Sequence, residues 1–62
     1  MPKLNTQQAL LVAHQVRVLK RKLPKASERL IRRVSIDLGQ GMAYDFDVIA
    51  EVERRAKRRA KP

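Results

Sequence analysis

The chain contains neither cysteine nor tryptophan, so it has no disulfide and no thiolate metal ligand to staple it. Its lone histidine, His14, cannot form a zinc site alone. Without cysteine, a nearby serine or a paired carboxylate, His14 also supplies no nucleophile–base system, and an enzyme is not expected. The aromatic residues are Tyr44 and Phe46, too few for the stacking platforms that read single-stranded nucleic acid. The longest apolar run, Ala9-Leu10-Leu11-Val12-Ala13, falls far short of the roughly 18 residues of a membrane span, and it is poorly flanked for a secretory core. Acids are missing from residues 1–27. That segment is amphipathic, as a transit peptide is, but its cations cluster late, serine is scarce and cleavage would leave little domain. A cytoplasmic protein is the expectation, nucleoid-associated if it binds DNA.

What is present is positive charge. Fifteen Lys and Arg stand against six Asp and Glu, a net +9. The distribution is uneven: nine cations and one acid over 1–36, five acids and no cation over 37–53, six cations and no acid over 54–62. A chain this short and basic is suited to a polyanion, nucleic acid being the commonest. Sixty-two residues allow one domain, which buries only about 60% of its unfolded surface. Residues 1–53 read as that domain and 54–62 as a basic helix end or tail. High aliphatic content in so small a chain suggests a homodimer.

The clearest element is a helix over residues 6–23. Val12, Val16, Leu19 and Leu23 fall on one face, and Ala9, Leu11 and Val18 widen it. Asn5 with Gln8 fits a capping box, and Pro24 ends the helix at Leu23. Over 25–38 a second helix would start at Ser27, bury Leu30, Ile31, Val34 and Leu38, and place Gly39 at C′. A last helix from about residue 47 would be capped by Asp45 and carry Phe46, Ile49, Val52 and Ala56 on one side. The expected fold is mainly α, a small three-helix domain. The alternative is helix–β-hairpin–helix with the hairpin over 32–48, because Val34, Ile36 and Leu38 alternate with polar residues, as do Met42, Tyr44, Phe46 and Val48 beyond the glycine loop.

Two sets of cations are candidates for phosphate contact. The first is Arg17, Lys20, Arg21 and Lys25 with Arg29, Arg32 and Arg33, the last three sharing one helical surface with Ser35 as a surface hydroxyl. The second is the tail: Arg54, Arg55, Lys57, Arg58 and Arg59. Val12, Val16, Leu19, Leu23, Phe46 and Ile49 are the candidates for dimer or partner packing. A helix-turn-helix over 26–58 fits poorly, since its loop is long and Asp45, Asp47 and Glu51 would face phosphates. The acids lack the regular oxygen spacing of a calcium loop, so no metal is expected; nor is a cofactor, a small-molecule substrate or a membrane partner. The composite expectation is a nucleic-acid-binding accessory or regulatory protein. Scarce aromatics favour duplex DNA over RNA. The alternative is a protein-interaction module that docks its aliphatic face on a larger acidic partner such as a polymerase or assembly factor. Whether the two cationic sets share one side of the molecule depends on the fold.

Overall fold

Asn5 begins the first ordered element by closing a capping box on itself. Its Oδ1 accepts from the Gln8 amide at 2.7 Å while Gln8 Oε1 accepts from the Asn5 amide at 3.0 Å, so two otherwise orphaned donors are satisfied. The computed structural model describes residues 4–60, the last two through their backbone alone. Three helices follow one another: α1 over Thr6–Lys22, α2 over Glu28–Gly39 and α3 over Asp45–Ala60. Among the described residues there is no strand, and the segment 32–48 is helical on both sides of a turn. None of these helices is long and apolar enough to cross a membrane.

The helix ends follow local chemistry, with two departures from expectation. α1 stops before Pro24, and Lys20 Nζ donates to the carbonyls of Pro24 and Ala26 at 3.0 and 2.6 Å, tying the turn to the helix end. Ser27 caps α2, its Oγ accepting from the Leu30 amide at 3.1 Å. Gly39 is not the C′ residue: it is the last helical position, and Gln40 takes the left-handed conformation at φ 54. Nor is Asp45 an N-cap. It lies inside the first turn, where the Tyr44 carbonyl accepts from the amides of Asp47 and Val48 at 3.1 Å. Its carboxylate is taken by Gln15 instead.

Six aliphatic side chains make the core: Val12, Leu19, Ile31, Val34, Val48 and Val52, none more than 1% exposed. Val16, Leu23, Leu30, Ala43 and Ile49 pack around five of them. Leu38, expected on the buried face of α2, is 43% exposed, and Ser35 holds the inward place. The reason is a polar hub. Gln15 sits on the same face of α1 as Val12 and Leu19 and is buried. Its amide donates to Ala43 O at 2.8 Å and to Asp45 Oδ1 at 3.2 Å, and its Oε1 accepts from Ser35 Oγ at 2.5 Å. Ser35 is therefore an interior hydroxyl, not a surface one. Every described buried side-chain polar atom is partnered, as a low-dielectric interior requires.

The connector between α2 and α3 runs along α1 in register. Gln40 meets Gln8 at 2.7 Å, Gly41 lies against Leu11 and Val12, and Ala43 and Asp45 meet Gln15. Gly41 has φ 93, and a Cβ there would come within 2.7 Å of the Val12 amide nitrogen. The alternation expected over 42–48 is thus partly real, but its sense is reversed. Small and polar residues at 41, 43 and 45 face α1, while Met42, Tyr44 and Phe46 are 76%, 72% and 69% exposed.

Candidate nucleic-acid interface

The turn at 23–27 folds α2 back against α1, and the cations of both helices meet across the join. Arg17, Lys20 and Arg21 from α1 and Arg29 and Arg32 from α2 line one open depression of about 680 Å³. Ala13 and Val16 provide apolar wall, and Glu28 is the one acid among the lining residues. Arg29 also lines a second depression with Leu30, Arg33, Arg55 and Arg58, of about 420 Å³, where α2 meets α3. The two cationic sets separated in the sequence therefore join through Arg29 into one belt over three helices.

Not all of these cations are equally available. Arg55 is committed to the fold: its Nη1 lies 3.1 Å from Asp37 Oδ2 and its Nε donates to Glu51 Oε2 at 2.8 Å. The same Asp37 oxygen lies 3.5 Å from Arg33 Nε, and Arg54 pairs with Glu51 Oε1 at 2.5 Å. Lys20 spends its ammonium on the turn carbonyls. The hydrogen bond from Arg55 holds the Glu51 carboxyl below its ordinary range, with the charges of Arg54 and Arg55 adding to it. The hydrogen bonds to Glu51 and then Asp37 push the Arg55 guanidinium further up. By contrast, Arg17, Arg21, Arg29, Arg32 and Arg58 are exposed and have no carboxylate partner among the described residues.

The remaining candidates separate. Lys25 lines a different, mainly apolar depression with Leu23, Val52 and Ala56. Arg54 lies beside Leu38 and Asp47 on the far edge of α3. Lys57 is exposed, and the side chain of Arg59 falls outside the described residues. Of the six packing candidates, Val12 and Leu19 are wholly enclosed within the chain, Val16, Leu23 and Ile49 are partly buried against its core, and Phe46 alone is largely exposed. Packing at Val12 and Leu19 is thus used within one copy, not between copies. Among the described residues no three His, Asp or Glu side chains gather as a cation site.

Sequence reasoning missed Gln15, Ser35 and the Asp37–Arg55–Glu51 clamp. Gln15 carried a signal, since it interrupts the apolar face that runs from Val12 to Leu19. The clamp joins residues of different helices, and spacing alone does not reveal it. Comparison with protein families, with curated proteins and with solved structures finds no match to this chain.

Proposed function

We propose that the chain is a small nucleic-acid-binding accessory or regulatory protein that holds phosphates in the α1–α2 groove and along its extension to Arg58. The observation that carries this reading is the convergence of Arg17, Arg21, Arg29 and Arg32 on one groove without ion-pair partners among the described residues. Guanidinium groups left unpaired at neutral pH, on opposing walls of a groove, suit the fork geometry of phosphate oxygens. Duplex DNA is the favoured partner. Both aromatic rings lie in the connector and the start of α3, flanked by acids, so the basic groove has no stacking platform. The reading carries with it a cytoplasmic, nucleic-acid-associated placement.

Titration of duplex and single-stranded probes at several salt concentrations tests it. Four to five phosphate contacts give a log–log salt slope of about −4 for duplex. Arg29→Ala and Arg32→Ala should each shallow that slope by about one, as should Arg58→Ala. A salt-insensitive interaction, or none with either probe, defeats the proposal. Truncation at residue 54 is a poor test because it also removes Arg55 from its clamp on Asp37 and Glu51.

The second reading, a protein-interaction module, is favoured by the exposure of Met42, Tyr44 and Phe46. With the aliphatic face of α1 largely used in the core, this surface would be its docking site. Its acidic flanks suit a basic partner better than the acidic one first considered.

A further inference from the structure

The two aromatic side chains of this protein stack on each other at the surface, with ring centroids 5.5 Å apart and planes within 8°. Each is about 70% exposed, and Met42 beside them is 76% exposed. A domain this small gains most of its stability from burying such groups, so three exposed together mark a surface that another molecule covers. Their exposure is imposed by the fold: the connector turns Gly41, Ala43 and Asp45 to α1, which leaves the alternate positions outside.

Charge identifies the occupant. Asp45 and Asp47 flank Phe46, and residues 42–53 contain no Lys or Arg. Asp47 is exposed and has no ion-pair partner among the described residues, although Arg54 lines the same depression; Glu53 lies further along α3, in the depression that Lys22 and Lys25 line. A fitting partner offers an apolar recess rimmed by guanidinium groups. The α1–α2 groove is such a recess: Ala13 and Val16 supply apolar wall and Arg17, Arg21, Arg29 and Arg32 the charge. Arginine stacks well on aromatic faces, and the neighbouring carboxylates would meet the remaining cations.

We propose that the Met42–Phe46 surface of one copy docks into the α1–α2 groove of a second copy. Patch-to-patch pairing is disfavoured because it would bring the acids of two copies together. The contact joins unlike surfaces: each copy offers a groove and a patch, and association either closes as a ring, a reciprocal pair included, or propagates as chains of copies. The groove is also the proposed phosphate site, so nucleic acid and a second copy compete for it. That competition rests on the function proposed above; the self-association does not.

Light scattering after size exclusion, at low salt and rising concentration, tests the contact with the full chain. Two variants split it into halves: Phe46→Ser/Asp47→Lys removes the patch, and Arg29→Glu/Arg32→Glu removes the groove. All four positions are exposed, and circular dichroism checks that each variant stays helical. Wild type should gain mass with concentration, and each variant alone should remain a single chain, its association weakened roughly 30-fold or more, as loss of an interface anchor does. An equimolar mixture of the two should give pairs and nothing longer, since one copy keeps only its groove and the other only its patch. Self-association of the groove variant at wild-type strength overturns the proposal, as does a wild type that stays a single chain at every concentration. Short duplex added to wild type should dissolve the assemblies, and copies still joined patch to groove while the duplex is bound would refute the competition. Failure of duplex to bind at all would sink the nucleic-acid reading and leave the self-association standing.

Discussion

At the residue scale the fold depends on a few positions where backbone or polar groups meet with no room to spare. Gly41 combines a positive φ with an approach to the α1 backbone that no side chain can share. Gly41→Ala should lower unfolding stability by about 2–3 kcal/mol, from left-handed strain and a clash with backbone that cannot move aside; chemical denaturation measures it. Gln15→Leu fills similar space but leaves Ala43 O and Ser35 Oγ without their partner. A loss of about 2 kcal/mol is expected, and Gln15→Leu/Ser35→Ala should recover part of it. Local signals such as Asn5–Gln8 and Ser27 were legible in the sequence because both partners lie within one turn. Gln15, Ser35 and Asp45 were not, because their partners lie on other helices and a polar residue on an apolar face does not announce what it bonds.

Between elements, ion pairs hold the acidic island to the basic tail. Asp37 at the end of α2 receives Arg55 of α3, which also binds Glu51 one turn earlier. The Glu51 carboxyl is lowered in the folded chain, so its contribution is complete above the ordinary carboxylate value and disappears as pH falls through the lowered one. Stability should therefore decline on acidification below that ordinary value, and Glu51→Gln should flatten the decline in melts across that range. The contribution is small, since the pair is solvent-screened. The element pattern was itself ambiguous in the sequence. Over 42–48 a strand period and a helix period overlap, and the structure divides them: a short irregular connector through 44, then helix. The alternation was legible, but the side it would bury was not. Apolar residues normally turn inward, and here the close approach at Gly41 and the Gln15 hydrogen bonds decide otherwise.

For the whole molecule, the margin is thin. A domain of this length has a stability of only several kcal/mol. Leu19, wholly enclosed, should cost about 3 kcal/mol on truncation to Ala and leave much of the population unfolded at 37 °C, read by loss of helical circular dichroism. Phe46→Ala, at an exposed site, should change stability by less than about 1 kcal/mol. Net charge and its uneven distribution were plain from composition. The convergence of two distant cationic sets at Arg29 was not, since it depends on how α2 packs on both neighbours. Nor could composition distinguish Arg55, bound to two carboxylates, from Arg58, which has none among the described residues.

The register between α1 and the connector also bears on the order in which the chain folds. Its hydrogen bonds join residues 28, 30 and 32 positions apart, whereas the α1–α2 turn is local. Closing the short α1–α2 turn costs less chain entropy than closing the longer loop to the connector, so the α1–α2 pair can form first. Residues 1–36 hold nine cations and one acid, and the five carboxylates that temper them lie in 37–53. A folding intermediate with the first pair docked and the rest still open would thus carry its positive charge apart from the acids, and should form more slowly at low salt than at high salt.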